Sequence, residues 1–355
     1  MTHRERFLRN MRYQDFDRAP FWDFGAWPET IERWEREKPN CKEVPLTRDP
    51  CAGYGGWFEP TPPFEYKVVE EDDRTITYIN HEGILLKERK DNPWSSMPQF
   101  IKFPVETREE FRTFCKERLN FDMASRLGAD WVEKMEAHKD RDVPLFVSGG
   151  RWGGFFGPQR NLLGVENLCM MFYDDPAFVE EMMDYFADFM IAIMDKVLDH
   201  TDIDVFGFWE DMAYKTAPLI SPEMVRKYML PRYRRVVDHL SRRGVEFFAL
   251  DSDGDISSLV PVWLDSGINI LYPFEVQCGM DVNQVRKEYG KELRMWYGVD
   301  KRVAAWGPDA IDPEMKRVAP LVRDGGFIPG PDHSFPPDVF YENYVYFLKK
   351  LFEIL

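Results

Sequence analysis

The chain is poor in cysteine, with five in 355 residues and none spaced C-x-x-C. Cys41, Cys51, Cys115, Cys169 and Cys278 are odd in number and scattered, which indicates neither a disulfide framework nor a thiolate zinc knuckle and leaves reduced, mostly structural thiols as the expectation. No apolar run approaches the ~20 residues of a membrane span. The opening MTHRERFLRN lacks the apolar core of a signal peptide. Positive charge is also short: 46 Lys and Arg face 62 Asp and Glu, a net charge of -16 that opposes phosphate backbones and anionic lipid surfaces. Nucleic acid and membrane are therefore not expected as partners, and the chain reads as cytoplasmic. It contains no low-complexity tract and no short repeat.

What it does contain is alternation. From residue 143 onward short apolar runs (VPLFVSGG, DVFGFWED, VEFFALDSDGD, INILYPFE, LRMWYGVDK, FIPGPDHS) each precede a helix-like segment. Helix starts carry capping signals: Asp174 or Asp175 before Pro176, Ser221 before Pro222 and Asp312 before Pro313. Six strand–helix units in order imply a parallel sheet with right-handed crossovers, and eight would close a barrel. RAPFWDFG reads as an opening strand behind a short helix, HRERFLRNMRYQ. Residues 51–105 alternate in period two around the turn-like EEDD and HEG, the pattern of an inserted antiparallel hairpin or meander. A second strand–helix unit must lie near there, and the pattern does not assign it. The expected fold is α/β, a TIM-type (β/α)8 barrel over residues 1–355 with an antiparallel β-hairpin inserted at about 51–105.

In such barrels the site is built at the C-terminal ends of the strands. Here the exits read Trp22/Asp23, Gly149–Arg151, Glu210/Asp211, Asp251/Asp253, Glu275, Asp300/Lys301 and Asp332/His333. The densest is DSDGD, with Asp251, Asp253 and Asp255 in five residues. It is not an EF-hand loop, because Gly254 falls at the fourth position rather than the sixth and Val262 occupies the twelfth. Asp255, Asp281 and Asp312 read as helix caps. Glu210, Asp251, Glu275 and His333, placed at the ends of apolar runs, read as a pocket, with ion pairs to Lys215, Lys301 or Arg151 as the competing reading. A ring of carboxylates with one His can hold a divalent metal, or bind a cationic or hydroxylated substrate and move protons.

Several segments, MTHRERFLRNMRYQDFDRAPFW, PLISPEMVRKYMLPRYRRVVDHLSRRGV, SDGDISSLVPVWLDSGINILYPFE, GMDVNQVRKEYG and PDHSFPPDVFYENYVYF, together resemble the uroporphyrinogen decarboxylase superfamily, in the branch that includes cobalamin-dependent methyltransferases. The resemblance spans most of the chain. Two departures stand out. The true decarboxylases open with an arginine-rich R-Q-A-G-R motif that binds the substrate carboxylates; here the region reads FWDFGAWPETIERW, where Asp23 and Glu29 repel a polyanion. The coenzyme M-type zinc methyltransferases carry H-x-C after the fifth strand and Cys after the eighth. Asp251/Asp253 and Asp332/His333 stand at those places here, which argues against a thiol as methyl acceptor.

The resemblance therefore implies a methyltransferase of the O-demethylase type, moving a methyl group from a small O-methyl or N-methyl substrate to a corrinoid protein. It implies zinc on some of Asp251, Asp253, Glu275 and His333, with Asp332 orienting the imidazole. Glu210, Asp211 and Asp23 are its candidate catalytic groups. Trp22, Arg151, Trp152, Trp209, Tyr272 and Trp296 are its candidate substrate-binding residues, and Trp27, Phe155 and Phe156 add to the aromatic residues near strand exits. Cobalamin enters through the partner protein, and a second copy of the chain is a further expected partner. The alternatives are a decarboxylase of a small acid, with Asp23 or Asp251 as proton donor and Arg151 or Arg160 holding the carboxylate, and a non-catalytic binding protein whose carboxylates coordinate a structural ion.

Overall fold

The computed structural model describes residues 1–39, 48–91 and 97–355; Cys41 lies outside them. Numbered along the chain, the strands are β1 (Ala52–Tyr54), β2 (Lys67–Glu71), β3 (Thr75–Ile79), β4 (Leu85–Arg89), β5 (Gln99–Lys102), β6 (Leu145–Ser148), β7 (Val205–Trp209), β8 (Phe247–Asp251), β9 (Ile270–Tyr272), β10 (Arg294–Trp296) and β11 (Phe327–Ile328). Seven form a curled parallel sheet in the order β1-β6-β7-β8-β9-β10-β11, and β2 to β5 form a separate antiparallel sheet. All six strands expected after residue 143 are present and parallel. Helices Pro176–Leu198 and Val282–Tyr289 begin at the expected caps: Asp175 accepts from Phe178 N–H at 3.0 Å and Asp281 from Asn283 N–H at 3.0 Å. Ser221 likewise caps the turn Pro222–Met224, and the helical run continues without a break through Leu230–Arg242.

Four expectations need correction. RAPFWDFG is not a strand: Pro20 has no N–H to donate, and the Asp23 carboxylate takes the N–H of Gly25 at 2.9 Å, bending the chain at φ +76°. The closed eight-stranded ladder is thus not formed. Instead this coil makes one backbone bond to chain before β1 and a two-bond parallel bridge to chain after β11. Asp49 N–H reaches Phe21 O at 2.9 Å, Phe335 N–H reaches Gly25 O at 3.0 Å, and Trp27 N–H reaches Phe335 O at 3.1 Å. Second, the unassigned parallel strand is β1, hidden inside the stretch read as an insertion, and three residues centred on Gly53 are too short to show a period. Third, of the two forms expected for the insertion the meander is present and the single hairpin is not: β2 to β5 pair antiparallel in chain order. Its EEDD turn closes on Asp72, which accepts from Arg74 N–H at 2.7 Å and Thr75 N–H at 2.6 Å. Fourth, Asp312 is not a cap: helix Pro308–Asp324 starts five residues before the expected Pro313, behind Gly307, and Asp312 accepts the Tyr346 hydroxyl at 2.9 Å.

The parallel strands alternate strictly. Phe206, Phe208, Phe248, Leu250, Leu271 and Met295 face the surrounding helices. Val205, Phe247, Ala249, Ile270, Tyr272, Trp296 and Ile328 face the interior. Phe7 and Met11 of the first helix, His3–Met11, join this inner set and plug the end where the strands begin, with Arg294 Nε donating to Met11 O at 2.9 Å. This plug leaves the C-terminal end of the sheet for a site between the strands. Among the described residues no helix is long and apolar enough to cross a membrane.

Candidate active site

Alternation decides what each exit presents. At the end of β7, Trp209 faces in and Glu210 faces the helices. Glu210 is fully buried and accepts from the backbone N–H groups of Phe155, Phe156 and Gly157 at 2.8, 2.6 and 3.0 Å and from the Tyr233 hydroxyl at 2.5 Å. It is the carboxylate seated on the N-terminus of helix Phe156–Leu163. Burial pushes its affinity for a proton up to about 7, against the pull of Tyr233 and the three amides. The close approach depends on glycine, since a Cβ on Gly154 or Gly157 would lie 2.4 or 2.7 Å from Trp209 O. Both oxygens are occupied and none of the side chain reaches the mouth, so the catalytic role expected of Glu210 gives way to an anchoring one. Asp211 does reach the mouth. Its backbone is left-handed at φ +43°, and Arg160 holds it through Nη2 to the carboxylate at 3.1 Å and Nη1 to its carbonyl at 2.5 Å. The Arg160 and Arg151 guanidinium groups sit 5.0 and 5.8 Å from the Trp209 ring.

Asp251 ends β8 on the inward face and is the register partner of Tyr272 in β9. Among the described residues its carboxyl has no hydrogen-bond partner. Burial, then the charges of Asp253 and Asp211, raise its proton affinity well above the usual carboxylate range. Asp253 lines the same cleft with 40% of its side chain accessible, and burial, followed by Asp211 and Glu275, pushes it up to about 7. His333 Nε2 stands 3.7 Å from the Asp253 carboxylate. Its Nδ1 accepts from Ser334 N–H at 2.8 Å and its ring stacks on Phe24 at 5.1 Å. Burial, then Lys301, lowers its affinity for a proton.

Glu275 accepts from Gly254 N–H at 2.9 Å and Gln277 Nε2 at 3.2 Å and pairs with Lys301 at 3.7 Å, which is the competing ion-pair reading. Asp332 does not orient His333, because its oxygens take Val276 N–H at 2.8 Å and Lys301 N–H at 3.0 Å. Asp23 is almost fully buried, pushed up by burial, and pairs with Arg48.

The fold thus brings Asp211, Asp251, Asp253, Glu275 and His333 to one mouth, with Trp209 at its side and Trp22, Tyr272 and Trp296 packed beneath. Trp22 meets Trp296 edge-on at 5.4 Å and Tyr272 meets it at 5.1 Å. Trp152 is not there: it is fully buried, stacks on Phe114 at 5.9 Å and donates Nε1–H to Glu82 at 2.8 Å, at the junction with the inserted sheet. Phe155 and Phe156 are likewise core. A zinc ion would need several of Asp251, Asp253, Glu275 and His333 to converge. Among the described residues no group of three or more His, Cys, Asp or Glu does so, and the Glu275 oxygens already serve an amide, Gln277 and Lys301. The residues as arranged do not fit a zinc site. Sequence reasoning passed over Phe24, Arg48, Glu82 and Tyr297; Glu82 reaches Arg151 at 3.6 Å from a turn of the inserted sheet that no strand-exit rule could place.

A parallel sheet that gathers carboxylates, a histidine, paired cations and aromatic rings at its strand exits has the architecture of an α/β enzyme. Residues 105–352 match the uroporphyrinogen decarboxylase (URO-D) family profile, and the chain belongs to that family. It is 24% identical over 254 residues to the uroporphyrinogen decarboxylase of Hydrogenovibrio crunogenus, covering 66% of this chain and 66% of that relative's length. The solved structure of a methyltransferase from Methanosarcina mazei shares the fold, with a TM-score of 0.64 at 15% identity over 99% of both chains.

Proposed function

We propose that the chain is a cytoplasmic methyltransferase that moves a methyl group from a small O-methyl or N-methyl compound to a corrinoid protein. The carrying observation is the charge pairing at the mouth. Arg160 is held by Asp211, Lys301 by Glu275 and Arg48 by Asp23, and Arg151 faces Glu82, whereas Asp251 has no partner among the described residues. Among the described residues Lys215, near Cys278, is a cation there without an ion pair, and the others are already engaged, which disfavours a polyanionic porphyrinogen most of all. The mouth offers a leaving oxygen or nitrogen a proton donor.

When docked, the partner's corrinoid supplies the cobalt nucleophile that accepts the methyl group. The exposed residues suited to meet it are Tyr214, on the loop after β7, and Trp306, at the end of the short helix Val303–Trp306 after β10, 72% and 65% exposed. As the bond from methyl to oxygen breaks, its electron pair stays on oxygen and the Asp251 carboxyl delivers its proton there. Trp22, Tyr272 and Trp296 wall the substrate and keep water out, and Arg160 fixes Asp211 over Trp209. The test is to incubate purified protein with reduced cobalamin and a panel of methoxyarenes and methylamines, reading methylcobalamin by absorbance, with carbon dioxide release from uroporphyrinogen and small acids measured in parallel. Methylcobalamin is expected with wild type and not with Asp251→Asn. Carbon dioxide release without methyl transfer overturns the proposal in favour of a decarboxylase, and neither activity overturns it in favour of a binding protein.

A further inference from the structure

Among the described residues two phenols facing the interior of the sheet have no hydrogen-bond partner for their hydroxyls. Tyr272 faces inward with Ile270, and Trp296 of β10 faces inward beside it. By alternation the next residue, Tyr297, should turn to the helices. Instead its backbone adopts φ +67°, a region that costs a bulky residue about 1–3 kcal/mol, and its ring joins the interior set. There it lies 4.4 Å from Phe24 and 6.2 Å from Tyr272. The surroundings hold this conformation. Tyr297 N–H is fixed to Ile328 O at 2.8 Å, and Gly330 leaves room for the ring, since a Cβ there would come within 2.7 Å of it. Tyr272 is only 8% exposed and Tyr297 is half-buried, yet among the described residues neither hydroxyl has a hydrogen-bond partner, nor does the carboxyl of Asp251, the register partner of Tyr272. Neither hydroxyl is among the fully buried polar atoms that lack a partner, so both can be reached by a ligand. A strained residue turned inward to add a second unpartnered donor points to a ligand atom that accepts several hydrogen bonds at once.

We propose that Tyr272 and Tyr297 are catalytic donors that receive the leaving oxygen of an aryl methyl ether. This rests on the methyl-transfer reading and narrows it to one substrate class. A departing amine has a single lone pair, which its proton consumes, whereas a phenolate oxygen accepts two phenol hydrogen bonds and still takes a proton. The bond from methyl to oxygen breaks with its electron pair left on oxygen. Tyr272 and Tyr297 keep their protons while donating, Asp251 gives up its own, and neutral phenol departs. Trp22, Phe24 and Trp296 supply the flat apolar wall an aryl ring needs.

The test needs no corrinoid. Binding of 4-nitrophenol and of 4-nitrotoluene, which keeps the ring and lacks the oxygen, is titrated against wild type, Tyr272→Phe and Tyr297→Phe. Wild type is expected to prefer the phenol at least tenfold. Each variant is expected to lose about tenfold in phenol affinity with nitrotoluene affinity unchanged. No preference in wild type, or equal phenol affinity in all three proteins, overturns the proposal. A variant that fails to fold leaves the wild-type preference decisive. Phenol binding as expected without methylcobalamin formation from any methoxyarene would retain the oxygen receptor and overturn the methyl-transfer reading; the converse result would do the opposite.

Discussion

Replacing Glu210 separates an anchor from a catalyst. Its carboxylate takes three backbone amides and one phenol, all buried. Hydrogen bonds to a charged acceptor are worth about 1.5–3 kcal/mol each. The cost of burying the charge offsets several kcal/mol of that sum. Glu210→Ala removes both terms, orphans four donors at the start of helix Phe156–Leu163 and leaves a cavity. The net loss should be about 4 kcal/mol, the order found when a buried network is broken by removing one partner. Glu210→Gln keeps one acceptor oxygen and sets an amide NH2 against the remaining donors, for a loss of about 2 kcal/mol. Urea unfolding followed by far-ultraviolet circular dichroism at pH 8 measures both. For a chain of this size about 4 kcal/mol moves the midpoint by roughly 1 M. An alanine variant within 1 kcal/mol of wild type would refute the anchoring role, taking 1 kcal/mol as about the size of one ordinary hydrogen bond. A glutamine variant as stable as wild type but without activity would return Glu210 to the chemistry.

The other predictions concern neighbouring groups. Asp253 binds its proton in the folded state up to about 7, above an unfolded carboxylate near about 3.9. Its protonation therefore contributes stability in full below about pH 4, and that contribution is lost as pH rises towards 7. Asp253→Asn should flatten the fall in melting temperature across that window; an unchanged slope would show that Asp253 titrates normally. Trp152→Ala should lower stability by about 3–5 kcal/mol while leaving the Michaelis constant of the surviving enzyme unchanged. A raised Michaelis constant in a stably folded variant would place Trp152 in the substrate pocket after all.

The parts of the fold that recur were legible in the chain. Every unit after residue 143 has an apolar run followed by a helical segment, three of them opened by a side-chain cap at Asp175, Ser221 or Asp281, and periodicity reports such units well. Ala52–Tyr54 was not legible, because a three-residue strand carries no measurable period and lies beside a longer alternating stretch that dominates any window. Asp312–Pro313 was misread because Gly307–Pro308 five residues upstream offers the same signal, and the earlier pair starts the helix. Within the site, exit position located Asp211, Asp251, Asp253, Glu275 and His333. It could not tell which way a side chain turns. Glu210 and Asp251 both stand at strand ends, yet one faces the helices and the other the interior. That difference is one of parity, and parity is known only once the inner set is fixed. Tyr297 breaks parity through a backbone angle that no composition or spacing encodes.

The unclosed sheet has a mechanical consequence. A barrel with an unbroken ladder resists widening around its whole circumference, because any change in girth must stretch hydrogen bonds between adjacent strands. Here the circumference has a seam, where one coil crosses on residues 19–27 with one backbone bond to chain before β1 and an isolated two-bond bridge to chain after β11. Girth can change at that seam without disturbing any of the six parallel ladders. Trp22, Asp23 and Phe24 ride on it, so half of the aromatic wall and the residue stacked on His333 belong to the compliant side, while Asp251 and Tyr272 belong to the stiff side. The molecule is a split collar rather than a ring, with the split running through one wall of its own active-site cleft.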